Sequence, residues 1–214
     1  MNIFGPVWQD HFEIIAKDWK EKVSEQDIVL IAGDISWGMK LDEAIEDIKE
    51  IAKLPGKKVF IRGNHDYWWQ SISKIRNMLP ENIFAIQNDA IKFDKYIICG
   101  TRGWQVSETT EQTDEDKKIF EREVLRMELS LKTAQQMQNN NEEILVMIHY
   151  PPFNAKFEDS AFTSLFEKYG VKKVIYGHLH GNNSRTVLEN NKNEITYYLT
   201  SCDKVNNNLV LIED

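Results

Sequence analysis

The sequence is poor in several features that mark special classes of protein. Its 214 residues include only two cysteines and five prolines, so neither a disulfide framework nor a proline-rich extended chain is expected. The apolar runs are far too short to cross a membrane, and no basic-then-apolar leader opens the sequence. Cys99 and Cys202 stand in apolar, strand-like segments. We therefore expect two reduced thiols in a cytoplasmic protein that does not bind membranes.

Basic residues are outnumbered by acidic residues. Lys and Arg number 26 against 34 Asp and Glu, which gives a net charge of −8. Such a chain repels nucleic acid and anionic membranes at long range, so a nucleic-acid partner is not expected. Hydrophobic residues make up 42% and charged residues 28%, as in an ordinary globular protein. Length and composition together predict one domain over residues 1–214.

The apolar pattern alternates between strands and helices. Short uninterrupted apolar runs predict buried strands at 28–32, 59–61, 144–148 and 173–176. Apolar residues at steps of three and four predict helices over 7–23, 41–51, 66–79 and 120–134, with Thr113 and Asp116 as a capping pair and a short helix between Ser160 and Gly170. The pattern predicts a hairpin around Asp94-Lys95. It also predicts antiparallel strands in the C-terminal part. The pattern predicts an α/β protein with mixed sheets.

The four predicted strands end in polar, histidine-rich sequences. The segments that follow them are Gly33-Asp34, Gly63-Asn64-His65-Asp66, His149-Tyr150 and Gly177-His178-Leu179-His180. The carboxyl ends of parallel strands meet at one edge of a sheet, so these segments are expected to meet. Any single histidine is more simply a structural residue. Four of the five histidines lie here, however, and only His11 lies elsewhere, which weakens that explanation.

The side chains of these segments form a set of metal donors. Asp34 offers a carboxylate, Asn64 an amide oxygen, and His149, His178 and His180 offer imidazoles. Mixed nitrogen and oxygen donors without thiolate suit Mn²⁺, Fe or Zn²⁺ better than Ca²⁺. A carboxylate can bridge two metals, the arrangement commonly used to hydrolyse phosphate esters.

In order and spacing, these segments resemble the calcineurin-like metallophosphoesterases of bacteria. That family's pattern is Asp-x-His, Gly-Asp, Gly-Asn-His-Asp/Glu, His and Gly-His-x-His, and its last four elements match residues 33–34, 63–66, 149 and 177–180. The resemblance implies a four-layer α/β/β/α sandwich of two mixed β-sheets. It also implies a hydrolase of small-molecule phosphate mono- or diesters, with two divalent metals and a metal-bound hydroxide. Manganese is the first expectation, and iron, zinc or cobalt are alternatives.

The resemblance also implies a role for each residue. Asp34 would bridge the metals, Asn64, His149 and His178 would complete one site, and His180 would belong to the other. His65 would face the substrate and protonate the leaving oxygen or stabilise transition-state charge.

Three further positions near the expected site leave alternatives open. Asp66 either orients a neighbour or caps the 67–79 helix, and the cap is the equal or better interpretation. Arg102 could grip a phosphate oxygen, and a structural ion pair is as good an interpretation. The tryptophans at 37, 68, 69 and 104 could stack on a substrate ring, although ordinary packing is preferred.

The family's first element, Asp-x-His, has no counterpart upstream of Gly33. The second metal site would then keep only Asp34 and His180, and the sheet would lack a central strand. The start could be assigned too late, the segment could be missing from this sequence, or the protein could be naturally truncated; the intact later motifs favour a missing segment. The alternative function is a single-metal or non-catalytic relative with a binding or regulatory role.

Overall fold

The computed structural model describes residues 5–107, 113–139, 141–181 and 187–212. A 3₁₀ turn at Pro6–Trp8 opens this part of the chain. The helices are α1 His11–Lys22, α2 Leu41–Ala52, α3 Ile72–Arg76, α4 Asp114–Met137 and α5 Ala161–Lys168. The strands are β1 Ile28–Ile31, β2 Lys57–Phe60, β3 Ile83–Ala85, β4 Ala90–Phe93, β5 Tyr96–Thr101, β6 Glu143–Ile148, β7 Lys173–Tyr176, β8 Glu189–Lys192 and β9 Ile195–Leu199.

The strands form two sheets. In the smaller sheet β1, β2 and β3 are parallel, and in the larger sheet the order is β4-β5-β6-β7-β9-β8. The centre of the larger sheet, from β5 through β9, is parallel, and its edge strands β4 and β8 run antiparallel to their neighbours. The expected α/β class with two sheets is confirmed.

Three apolar cores separate four layers. The strands alternate their side chains between two faces, so that Val59 joins the core between the sheets and Phe60 joins the core under α2 and α3. On the larger sheet Met147 likewise faces the smaller sheet, and Val146 packs under α4 and α5. The layers therefore run helix, sheet, sheet, helix. This packing places the carboxyl ends of β1, β2, β6 and β7 along one edge.

Two of the predicted helices differ from the observed ones. The prediction of a helix over 7–23 is wrong at its start, because Asp10 adopts a left-handed φ of 51° and α1 begins at His11. The predicted helix over 66–79 is reduced to the five residues of α3. Ile72 and Ile75 of the predicted apolar face lie in α3, whereas Trp68 lies in a loop that inserts it and Trp69 into the core below α2. Apolar spacing does not distinguish that packing from a helix face.

The C-terminal part is antiparallel only in the β8–β9 pair, because β9 runs parallel to β7. The other local predictions agree with the structure. The Asp94-Lys95 turn joins β4 to β5, and Thr113 Oγ1 accepts the Asp116 N–H at the start of α4. Ser160 caps α5, whose end is followed by Gly170 at a φ of 66°. Cys99 and Cys202 are both free thiols. No helix in the described ranges is long and apolar enough to span a membrane.

Candidate metal centre

The structure brings four of the predicted ligands together at the sheet edge. Asn64 Oδ1 lies 2.7 Å from His149 Nε2 and 2.9 Å from His178 Nδ1, and the two ring nitrogens are 3.3 Å apart. Asp34 Oδ2 lies 3.5 Å from His149 Nε2. Asp34 and Asn64 come from the smaller sheet and the two histidines from the larger one. The site therefore exists only where the two sheets are packed together.

The chemistry of these donors fits a divalent cation. His149 Nδ1 lies 2.7 Å from the Ala32 carbonyl, which can only accept, so the ring proton is on Nδ1 and Nε2 carries a lone pair. That lone pair faces the Asn64 amide oxygen, another acceptor, with no proton between them. Neighbouring ligands about 2.1 Å from a metal lie roughly 3 Å apart, close to the separations seen here.

The amide oxygen is an essential member of this set. Within the described ranges, no three or more His, Cys, Asp or Glu side chains are arranged to hold a metal ion by themselves. The trio of Asn64, His149 and His178, called the donor trio below, is completed by Asn64 and flanked by Asp34.

Both histidines of the donor trio are held in the form that binds metals. Burial lowers the pKa of His149, which is only 1% exposed. Burial and the neighbouring His149 ring lower the pKa of His178 to about 4, although the Asp34 carboxylate opposes the shift. Neutral imidazole is the metal-binding form, so both rings are ready to bind a cation at neutral pH.

Close backbone contact explains the glycine of the Gly-Asn-His segment. A Cβ at Gly63 would lie 2.1 Å from Asp34 Oδ1, far inside any real contact. Asp34 itself adopts a left-handed φ of 55°, and its Oδ1 accepts the His65 N–H at 2.8 Å. The two loops of the smaller sheet therefore interlock, and only glycine leaves room for the Asp34 carboxylate.

Asp66 holds these two loops together. Its fully buried carboxylate accepts N–H groups from Asp34 at 2.9 Å, Ile35 at 2.8 Å and Gly63 at 2.7 Å. The Ser36 N–H and the Trp68 indole add two more. Burial raises the pKa of Asp66, and the backbone donors oppose this shift. The interpretation of Asp66 as a helix cap is wrong, because no helix begins there; the carboxylate orients its neighbours instead.

His65 lies beside the donor trio in an aromatic setting. Its ring stacks on Trp37 with centroids 5.0 Å apart, and Tyr67 meets it edge-on at 6.1 Å. The Nδ1 atom is buried, and no residue in the described part of the chain hydrogen-bonds to it.

His180 stands apart from the donor trio. Its Nδ1 lies 2.7 Å from Asp203 Oδ1, and its ring packs against Trp8 with centroids 5.3 Å apart. No direct contact with Asp34 is seen among the described residues. Asp34 and His180 are the two predicted ligands of the second metal. Among the described residues, they lie near the same site without contacting each other.

The family comparison agrees with this geometry. Residues 8–182 match the family described as calcineurin-like phosphoesterase. The chain belongs to the calcineurin-like phosphoesterase family. No curated protein matches the chain. Among solved structures, a protein of unknown function from Aquifex aeolicus (AQ665) shares 14% identity, with a TM-score of 0.46, and the match covers 94% of this chain and 81% of that one.

Arg102 makes structural contacts. Its guanidinium lies 3.8 Å from the buried Glu123 and 4.9 Å from the Trp104 ring, and its carbonyl oxygen accepts the N–H groups of His149 and Tyr150. Burial lowers the pKa of Arg102, and Glu123 opposes the shift. The interpretation of Arg102 as a member of a structural ion pair is thus confirmed. Binding of a phosphate oxygen by Arg102 stays a prediction.

The four predicted rim tryptophans differ in their surroundings. Trp104 packs against the Arg102 guanidinium and the Tyr150 ring. Trp68 and Trp69 are core residues, as the packing interpretation expected. Trp37 is 48% exposed beside His65.

Asp203 was missed by sequence reasoning. In the sequence, Asp203 is marked only by its position four residues after the end of β9. Its nearness to His180 follows from the pairing of β9 with β7.

Proposed function

We propose that this protein hydrolyses small-molecule phosphate esters with two divalent metal ions. One ion would be held by the donor trio with Asp34, and the second by Asp34 and His180. The observation that carries the proposal is the convergence of the unprotonated His149 Nε2 and the Asn64 amide oxygen at 2.7 Å, with His178 beside them. Without a cation, the lone pairs of His149 Nε2 and Asn64 Oδ1 would repel each other.

Bound cations would supply Lewis acidity to the phosphate and lower the pKa of a water molecule. The chain's own residues do the rest. Asp34 is fixed by the His65 N–H and by the Asp66 clamp on its backbone, so its carboxylate keeps one orientation. His65, whose ring stacks on the exposed Trp37, would hydrogen-bond a phosphate oxygen or the leaving group. The local cationic charge also explains how a chain of net charge −8 binds an anion.

Manganese binding and turnover measured on the same preparations test this proposal. Calorimetry with Mn²⁺ gives the stoichiometry, and p-nitrophenyl phosphate and its bis-ester report mono- and diesterase turnover. We expect two ions and turnover for the unchanged protein. Asp34→Asn should lose metal and turnover, and His65→Asn should keep metal and lose most turnover.

Asp27→Asn is the matched control for Asp34→Asn, since Asp27 is exposed and stands at the opposite end of β1 from Asp34; its turnover should be unchanged. Full turnover of Asp34→Asn or His65→Asn would contradict the assigned role of that residue. Absence of metal binding by the unchanged protein would overturn the proposal as a whole.

A single-metal, non-catalytic relative is the second candidate. The separation of His180 from the donor trio favours it, because the second site then has fewer ligands in contact. One bound Mn²⁺, intact folding and no turnover of either ester would establish this alternative.

A further inference from the structure

We infer that Asp203 is a positioning residue for His180: its carboxylate fixes the imidazole so that Nε2 faces the second cation of the proposed function, on which this inference rests. Asp203 lies beyond the residues 8–182 that match the family.

The strand register brings Asp203 to His180. Strands β7 and β9 are parallel neighbours, with Tyr176 opposite Leu199. The pairing continues past the strands, because the Thr200 N–H donates to the Tyr176 carbonyl at 2.8 Å. Four residues beyond each member of the last pair stand His180 and Asp203. The pairing therefore places the segments that follow β7 and β9 side by side, and Asp203 reaches His180 from the turn after β9.

The Asp203 carboxylate contacts both the His180 imidazole and the backbone next to it. Oδ1 of Asp203 lies 2.7 Å from His180 Nδ1, and Oδ2 accepts the Gly181 N–H at 2.8 Å. The Asp203 side chain is 6% exposed, whereas the imidazole is 38% exposed. The turn that carries Asp203 is closed by the Lys204 N–H on Ser201 O at 2.9 Å. A buried, immobilised acceptor thus contacts a half-exposed ring.

This contact decides the tautomer of His180. A carboxylate has no proton to donate, so the ring proton belongs on Nδ1 and the lone pair on Nε2. Trp8 packs against the same ring and restricts its rotation. Carboxylates that accept from the second nitrogen of a metal-binding histidine raise its basicity and fix its orientation, and their loss typically costs about 10–100-fold in metal affinity.

The first test is spectroscopic and needs no metal. Long-range ¹H–¹⁵N spectra of the full chain at pH 8 report which nitrogen of each of the five histidines is protonated, and His180→Asn assigns the relevant signal. We expect the proton on Nδ1 in the unchanged protein. In Asp203→Asn it should move towards Nε2, because the amide can donate to Nδ1. A proton already on Nε2, or no change in the variant, would overturn the inference.

The second test is Mn²⁺ binding by calorimetry. Asp203→Asn should weaken the step that involves His180 by about 10–100-fold. Asp18→Asn is the matched control, because its carboxylate also accepts a backbone N–H of the C-terminal segment, from Leu209 at 2.7 Å, and has no described contact with His180. Unchanged affinity in Asp203→Asn would refute the positioning role. If the unchanged protein bound no Mn²⁺, the proposed function would fail, and the tautomer would still decide the role of Asp203.

Discussion

Replacing Asp66 by asparagine should loosen both metal-binding loops of the smaller sheet. Oδ1 accepts three donors, from Ile35, Ser36 and Trp68, and Oδ2 accepts two, from Asp34 and Gly63. The amide oxygen of asparagine can replace only one carboxylate oxygen. In the less costly orientation the NH₂ group faces the two donors formerly bound by Oδ2.

The magnitude follows from that count. Each buried donor left without an acceptor costs about 1–3 kcal/mol, so two of them cost roughly 2–6 kcal/mol. Relief of burying a charge offsets part of this, and we expect a loss of about 3 kcal/mol in the free energy of unfolding. Domains of this kind are stable by only about 5–15 kcal/mol, so the variant should unfold at clearly lower urea concentration.

Urea unfolding of the metal-free proteins measures this loss, and Mn²⁺ calorimetry measures the accompanying fall in affinity. Asp27→Asn is the control, because the exposed Asp27 accepts one backbone N–H, from Ser24 at 2.7 Å. It should cost less than about 1 kcal/mol. If Asp66→Asn matched that control in both stability and Mn²⁺ affinity, the clamp assigned to Asp66 would be refuted.

The remaining predictions concern the metal loops and the donor trio. Gly63→Ala should lower Mn²⁺ affinity at least about tenfold, since its Cβ would displace the Asp34 carboxylate; Gly177→Ala, whose Cβ would meet nothing nearer than 3.6 Å, should be far less affected in the same titration. The unfolded chain protonates His178 below pH 6.5 and the folded chain only below about 4, so the metal-free protein should lose stability as pH falls across that window. After discounting for solvent screening, His178 accounts for about 1–2 kcal/mol of this loss. Unfolding of His178→Asn should show a correspondingly shallower pH dependence, and equal slopes would contradict the assignment.

The sequence predicts most of the site because the site is built from local patterns. A short apolar run followed by a polar residue marks the end of a buried strand, and four such ends carry Asp34, Asn64, His149 and His178. Parallel pairing brings Asp34 and Asn64 to one edge of the smaller sheet, and His149 and His178 to one edge of the larger sheet. The packing of the two sheets, which local patterns do not contain, then joins the two pairs.

What the sequence does not predict depends on contacts between distant segments. Trp68 has helical spacing with Ile72 and Ile75, yet the Asp66 carboxylate and the core below α2 hold Trp68 in a loop. Asp203 becomes visible only through the β7–β9 register, which joins segments more than twenty residues apart. Local spacing contains neither of these facts.

Anomalous diffraction from crystals grown with Mn²⁺ tests the central claim most directly. The account predicts a manganese peak within bonding distance of Asn64 Oδ1, His149 Nε2 and His178 Nδ1, with Asp34 beside it. A well-ordered donor trio with no anomalous peak, or manganese bound only elsewhere on the protein, would contradict it.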